Sequence, residues 1–180
     1  MRRAVVIPAL AAGILALLIF ASTASGWVVA GKRWPGPTVS VWNDTQYRVQ
    51  VKQAMLAWNS AGAAIRLIPA ASREEADVLV SYAALREQGR AEVGYARRAS
   101  NVWLATGLNR REAIAIAAHE LGHVLGLGHE SASCALMNPV IDSGAGATCK
   151  LGMCPSVWRC LIQPDDARGL QLLYGREPAT

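Results

Sequence analysis

Histidine and phenylalanine are scarce in this chain of 180 residues, which contains three histidines and one phenylalanine. All three histidines fall between positions 119 and 129, so a second cluster of imidazole ligands elsewhere in the chain is excluded. Basic residues are scattered and not gathered around aromatic side chains, which argues against a nucleic-acid partner despite a net charge of +5. The sequence also lacks repeats and low-complexity stretches, so a repeat architecture is excluded.

Long apolar runs are absent apart from residues 4–21, which follow two arginines and precede the small residues 22–24. Basic residues, an apolar run and small residues in this order are typical of a secretory signal, so residues 1–24 are predicted to direct export. A run of this length is also near the length that spans a bilayer, and an uncleaved N-terminal anchor is the alternative. The membrane is a partner only if this segment is retained.

Cysteine is absent before position 134, and the four cysteines follow the histidines within a short segment. An even number of cysteines in an exported chain suggests two disulfides that staple this segment. Closeness in sequence favours Cys134 with Cys149 and Cys154 with Cys160, although three pairings are open. A second metal site is the alternative.

The three histidines occupy the pattern H-E-x-x-H-x-x-G-x-x-H, which begins at His119 and ends at His129. His119 and His123 are four residues apart, so a helix directs both rings toward one ion. Gly126 suits the positive φ that ends a helix, and the chain can then turn back to bring in His129. Three imidazoles are one ligand short of a closed tetrahedral site, which predicts a single catalytic Zn²⁺ with an open position.

Glu120 lies beside this predicted zinc site and is the candidate general base for the attack of water on a peptide bond. Two structural alternatives stay open. Glu120 can be an ordinary solvated helix carboxylate, and one of the four cysteines can supply a fourth ligand that closes the zinc site.

Hydrophobic periodicity places the first helix over residues 45–61, with Asn43 or Asp44 as its cap and Gly62 at its end. Short apolar or β-branched runs between turn residues predict strands. These strands are Ile65–Ile68, Ala76–Tyr82, Val93–Ala96 and Val102–Ala105.

The start of two further helices is marked by capping signals. Asn109 with Glu112 three residues later forms an Asn-initiated capping box, which opens the helix that carries the histidines. Pro164 followed by Asp165 and Asp166 opens a last helix, because proline suits the first turn and acids suit the positive helix end. The resulting order of strands and helices predicts a compact α/β sandwich.

Met137 follows the third histidine, at the place where the metzincin clan of zinc peptidases has its Met-turn. Taken alone, Met137 is more often plain core packing. With the zinc motif before it, the chain resembles the metzincins, and Ala-Leu-Met-x-Pro is similar to the matrixins, the family of the matrix metalloproteinases. Other segments resemble the opening strand, first helix, third strand and closing helix of a matrixin catalytic domain. They are residues 32–42, 54–58, 75–82 and 163–175.

The resemblance implies an α/β (α+β) zincin-like fold. Such a fold has a twisted, mostly parallel sheet with an antiparallel edge strand, two long helices, and a C-terminal helix after the Met-turn. It places a catalytic domain at residues 35–175, after a short linker at 25–34 and before a tail at 176–180. 

As function, the resemblance implies a secreted, monomeric zinc-dependent endopeptidase that acts on protein or peptide substrates. Pro139 and Val140 would form the wall of the main specificity pocket, and an extended substrate would lie along an edge strand placed at Val93–Ala96. An exported zinc hydrolase of cell-wall peptides and an exported zinc-binding protein without turnover are the alternatives.

Several departures from the matrixin pattern carry expectations of their own. With every histidine used, the second, structural zinc of typical matrixins is not expected, and without a cysteine before Cys134 the chain lacks their latency switch. Glu130 follows the third histidine, where matrixins usually carry serine, and a glutamate at this position resembles the astacins. Two residues after the methionine, however, this chain has Pro139 where the astacins have tyrosine. Calcium, common in the family, has no support beyond the weak segment Asp142-Ser143-Gly144.

Overall fold

The computed structural model describes residues 28–131, 135–139 and 161–178. Several predictions concern residues outside these ranges: the export signal at 1–24, Val140, the weak calcium segment at 142–144, and the four cysteines. The described residues form five strands and three helices in the order β1, α1, β2, β3, β4, β5, α2, α3. This is the predicted order.

The strands form one sheet with the spatial order β2-β1-β3-β5-β4. Their bounds are β1 Thr38–Asn43, β2 Arg66–Pro69, β3 Val78–Tyr82, β4 Gly89–Ala91 and β5 Ser100–Leu104. Three of the four pairings are parallel, and β4 pairs with β5 antiparallel at one edge. The predicted mostly parallel sheet with an antiparallel edge strand is confirmed.

One face of the sheet is buried, because β-branched residues alternate with more exposed ones along the strands. Val39 and Val41 of β1 are buried, as are Val78 and Val80 of β3, while the residues between them are partly exposed. In an extended chain, successive side chains point to opposite faces. The alternation therefore directs one row of valines into the core beneath the helices.

The helices are α1 Arg48–Asn59, α2 Arg110–Val124 and α3 Pro164–Tyr174. Helices α1 and α2 pack against each other; α1 also contacts β2, and α2 contacts β4 and β5. Trp58 of α1, which is 1% exposed, donates its indole N–H to the carbonyl of Ala118 in α2 at 2.8 Å. Truncating a core tryptophan costs roughly 3–5 kcal/mol of stability, so this contact fixes α2 firmly on the core.

The beginning of α2 follows the predicted capping box. The Asn109 side chain accepts the backbone N–H groups of Arg111 and Glu112, and the Glu112 carboxylate accepts the N–H of Asn109 at 2.9 Å. A side-chain cap satisfies donors that the first helical turn leaves free. The helix α3 likewise begins at Pro164, as predicted.

The predicted strand at Val93–Ala96 is wrong, and the edge strand is Gly89–Ala91. Gly94 has φ +68° and donates its N–H to the carbonyl of His123 at 2.9 Å. The next amide, that of Tyr95, binds the carbonyl of Lys32 at 2.8 Å. These amides serve α2 and the N-terminal segment, so the residues leave the sheet despite their apolar pattern.

The predicted cap of α1 at Asn43 or Asp44 is also wrong. The Asn43 side chain accepts the N–H and hydroxyl of Thr45, which builds a turn before the helix. The N-cap position belongs to Tyr47, without a side-chain cap, and the helix ends at Asn59 before Gly62.

Among the helices of the described residues, none combines the length and the hydropathy that a membrane span requires.

Candidate metal centre

The three histidines converge at the C-terminal end of α2. His119 and His123 lie on one face of the last turns of the helix, which ends at Val124. Gly126 then adopts φ +97°, a conformation that glycine reaches without a Cβ penalty, and the chain reverses toward His129. The Nε2 atom of His129 lies 3.2 Å from that of His119 and 3.1 Å from that of His123. The reversal predicted for Gly126 is therefore present.

Backbone carbonyls orient two of the three rings. Nδ1 of His119 lies 2.8 Å from the carbonyl of Leu136, and Nδ1 of His123 lies 2.9 Å from the carbonyl of Leu127. A carbonyl can only accept, so each Nδ1 carries the proton and donates it. The unprotonated Nε2 of each ring then faces the common point between the histidines.

The electrostatics keep these rings neutral. Burial lowers the pKa of His119 to about 4, and burial also lowers the pKa of His123. Taking a charged imidazolium out of water is unfavourable, which is the cause of both shifts. A neutral ring is the form that binds a metal.

The spacing of the donors fits zinc. Nitrogen ligands about 2.0–2.1 Å from a tetrahedral zinc ion lie roughly 3.3 Å from one another. The two measured Nε2 separations of 3.1 and 3.2 Å are close to this value. Among the residues that the structure describes, His119, His123 and His129 form a group whose ligand atoms lie within 4.8 Å of one another. Three imidazoles that converge in this way suit one zinc ion.

Both ends of the described chain hold the reversal after α2. Near the start, Trp34 donates its indole N–H to the carbonyl of Val124 at 2.8 Å. Near the end, the Tyr174 hydroxyl donates to the carbonyl of Leu125 at 2.9 Å and accepts the N–H of Trp34. The last carbonyls of a helix have no partner within it, and these two side chains supply one. Both residues lie in segments that resemble a matrixin, but their role at the end of α2 was not predicted from the sequence.

A short N-terminal strap, residues 28–31, lies along the reversal. The amides of Ala30 and Gly31 donate to the carbonyl of Gly126 at 2.9 and 3.2 Å, and the Gly128 amide donates to the carbonyl of Val28 at 2.6 Å. This strap therefore pairs with the backbone between the second and third histidines.

Met137, the predicted Met-turn residue, packs against α2 and is 2% exposed. Its sulfur contacts the helix at Gly122, where a side chain would collide with it. Asp166 of α3 accepts the amides of Leu136 at 2.8 Å and Met137 at 3.1 Å, and Leu136 in turn accepts from His119. The role of Asp166 was missed, because its position in sequence indicated only a helix start.

Glu120 is buried on α2 beside the histidines and is 5% exposed. Burial raises the pKa of its carboxyl to about 8, and the negative charge of Glu87 acts in the same direction. A carboxyl in such an environment can exchange a proton near neutral pH.

Of the two predicted pocket residues, Pro139 is exposed two residues after Met137, and Val140 lies outside the described residues.

Comparison with known proteins gives consistent matches. A sequence model of the family described as Matrixin matches residues 86–175, which is half of the chain. Matrix metalloproteinase-25 of Homo sapiens is 42% identical over 66 residues, covering 37% of this chain and 10% of that protein. Stromelysin-3 of Rattus norvegicus is 42% identical over 65 residues, covering 36% and 11%. Metalloendoproteinase 5-MMP of Arabidopsis thaliana is 38% identical over 63 residues, covering 35% and 14%. The matched segment is thus a small part of each relative.

Proposed function

Because the chain belongs to the matrixin family, we propose that it is a zinc-dependent endopeptidase in which His119, His123 and His129 hold the metal and Glu120 is the general base. One observation carries the proposal: the Nε2 atom of His129 lies 3.2 Å from that of His119 and 3.1 Å from that of His123, and the helix that carries these two residues also carries the buried carboxyl of Glu120. Three protein ligands leave one position of a tetrahedral ion open, which is the arrangement of catalytic zinc sites.

The residues divide the chemistry between them. A zinc ion held by His119, His123 and His129 would act as a Lewis acid, which would lower the pKa of water to about 7 and polarise a carbonyl. Glu120 accepts the proton of the attacking water and passes it to the leaving amine, so one carboxyl serves as base and then as acid. Met137 packs against Gly122 of α2 and so supports the helix that carries His119 and His123.

The substrate is an extended protein or peptide chain that lies along β4. This strand is at the edge of the sheet and packs against α2, which carries the histidines and Glu120. An edge strand offers backbone donors and acceptors to an added strand. Pro139, exposed after the Met-turn, forms the wall of the main specificity pocket together with Val140.

The proposal includes the wider organisation of the chain. Residues 35–175 form the catalytic domain of a monomer, which needs one zinc ion. The basic residues, apolar run and small residues of 1–24 support secretion. In an exported protein, the four cysteines are expected to form two disulfides.

The test compares the full chain with Glu120→Gln on an unfolded protein substrate, after both have been loaded with zinc. Glutamine keeps the shape of the side chain but cannot accept the proton. We expect the variant to retain stoichiometric zinc while its kcat falls by about 10²–10⁴. Cleavage of peptidoglycan peptides but not of protein would move the substrate class to the cell wall. Zinc binding by both chains with no hydrolysis by either would contradict an enzymatic role.

A further inference from the structure

Gly89 of the edge strand β4 lies directly against the general base. A Cβ atom at this position would lie 2.7 Å from Oε1 and 2.9 Å from Cγ of Glu120. It would also lie 2.5 Å from Cγ2 of Ile116. Gly89 is not among the residues with positive φ, so its backbone does not require glycine. What the position requires is the space that a missing side chain leaves.

The partners on either side of this contact differ in how far they can move. Ile116 and Glu120 are four residues apart on α2, so both side chains face β4. Ile116 is β-branched and stiff at χ1, whereas the carboxylate of Glu120 ends a flexible side chain. A methyl group at residue 89 would therefore displace the Glu120 carboxylate, whereas the clash with Ile116 is a separate packing effect.

The backbone of Gly89 is fixed by its neighbours. Gly89 pairs with Leu104 in the antiparallel ladder of β4 and β5, and the amide of Ala105 donates to the carbonyl of Gln88 at 2.9 Å. Leu104 is fully buried. The strand therefore resists a shift away from α2, and the distance between strand and carboxylate is set by packing.

We propose that Gly89 is a positioning residue, whose missing side chain allows the Glu120 carboxylate to pack against the edge strand at the distance that the reaction requires. The inference rests on the proposed function, because the same strand receives the substrate backbone. The general base and the scissile peptide are then both positioned against one rigid element, β4. A carboxylate displaced by a methyl group at residue 89 remains on the helix but no longer reaches the attacking water.

The first measurement is steady-state kinetics of Gly89→Ala. A displacement of about 1 Å at a reacting group can cost 10²-fold, so we expect kcat to fall by about 100-fold. KM should stay unchanged, because β4 keeps its backbone groups. The zinc dissociation constant should also stay unchanged, because the three atoms nearest to a Cβ at residue 89 belong to Ile116 and Glu120, and not to Leu136 or Leu127, whose carbonyls orient His119 and His123.

Three further variants separate the carboxylate from general packing. Gly36→Ala is the matched control, because its nearest neighbour would lie 3.9 Å from the new Cβ and its φ is not positive. Gly89→Ala combined with Ile116→Ala removes the clash with Ile116 and retains the clash with Glu120. We expect this double variant to have a much lower kcat than Ile116→Ala alone. Equal kcat values in these two chains would overturn the proposal.

A readout without substrate separates this inference from the proposed function. The visible absorption of cobalt(II) placed in the site responds to a carboxylate beside the metal. We expect the spectrum of Gly89→Ala to depart from that of the parent in the direction of Glu120→Gln, whereas Gly36→Ala matches the parent. Failure of the parent to cut any protein would refute the proposed function. A parental spectrum for Gly89→Ala would refute the inference, whether or not the parent is active.

Discussion

The two sides of the proposed metal centre are built in different ways. On the helical side, His119 and His123 owe their placement to a four-residue spacing within α2. On the returning side, His129 follows a reversal that is held by residues from both ends of the described chain, Trp34 and Tyr174. The first side is local in sequence, and the second depends on contacts between residues 49 to 90 positions apart.

Burial follows the same division. His119 is 5% exposed and hydrogen-bonded to the Leu136 carbonyl, so it is part of the core, whereas His129 is exposed. A buried ligand serves both the metal and the fold. An exposed ligand serves the metal alone, so it can be changed without a large effect on the metal-free protein. This difference can be tested by removing one ligand at a time.

The largest expected effect comes from His119→Ala and His129→Ala. Each should weaken zinc binding by about a hundred- to a thousand-fold, taking roughly a quarter of the binding free energy of a structural zinc site as the share of one ligand. Only His119→Ala should destabilise the metal-free protein, by about 1–3 kcal/mol, because it leaves the buried Leu136 carbonyl without its donor. Zinc competition titrations and urea unfolding in chelator measure the two quantities. Equal destabilisation by both variants would remove the distinction between the two sides.

Asp166→Ala should extend the comparison to the residues beneath the helical side. It removes a buried carboxylate that accepts the amides of Leu136, Met137 and Gln163. We expect a loss of about 3 kcal/mol in the free energy of unfolding and a 10- to 100-fold loss in zinc affinity, as for groups that orient a ligand. If stability falls but zinc affinity does not, the Met-turn supports the fold without orienting His119.

Asp166→Asn sharpens this test through its pH dependence. Burial raises the pKa of the Asp166 carboxyl above its usual range in the folded protein. The contribution of this group to the free energy of unfolding is therefore fully present below the unfolded pKa of about 3.9. It is lost as the pH rises from this value through the folded pKa. The parent should lose stability relative to the variant across this window. A difference between the two unfolding free energies that is constant with pH would contradict the burial of the charge.

The local side of the centre and the frame of the fold could be predicted from sequence. The capping box of Asn109 and Glu112 begins α2, and the positive φ of Gly126 ends it as expected. These features depend on a few neighbouring residues, so short sequence patterns are sufficient to predict them. The start of α3 was likewise predictable from Pro164 and the acidic residues that follow it.

The long-range contacts that hold the returning side could not be predicted, for a physical reason visible in particular residues. Trp34 lies in the predicted linker at 25–34, yet its indole donates to a carbonyl 90 positions away, and nothing near it in sequence indicates that partner. The apolar run Val93–Ala96 has the composition of a strand, but Gly94 donates to the His123 carbonyl. In both cases a helix end required hydrogen-bond partners, and this requirement overrode local preference.

The smallest expected effect, and the closest test of the returning side, is that of Tyr174→Phe. The change removes the hydrogen bond to the Leu125 carbonyl and the acceptor of the Trp34 amide, and it keeps the aromatic ring. Two hydrogen bonds contribute about 1–2 kcal/mol to the free energy of unfolding. Because Leu125 stands between the second and third histidines, zinc should also dissociate faster from the variant, which stopped-flow chelation measures. Tyr82→Phe is the control, since its hydroxyl binds the amide of Gln46, far from α2 in sequence. If both variants release zinc at the parental rate, the reversal is held by the N-terminal strap and not by the chain's end.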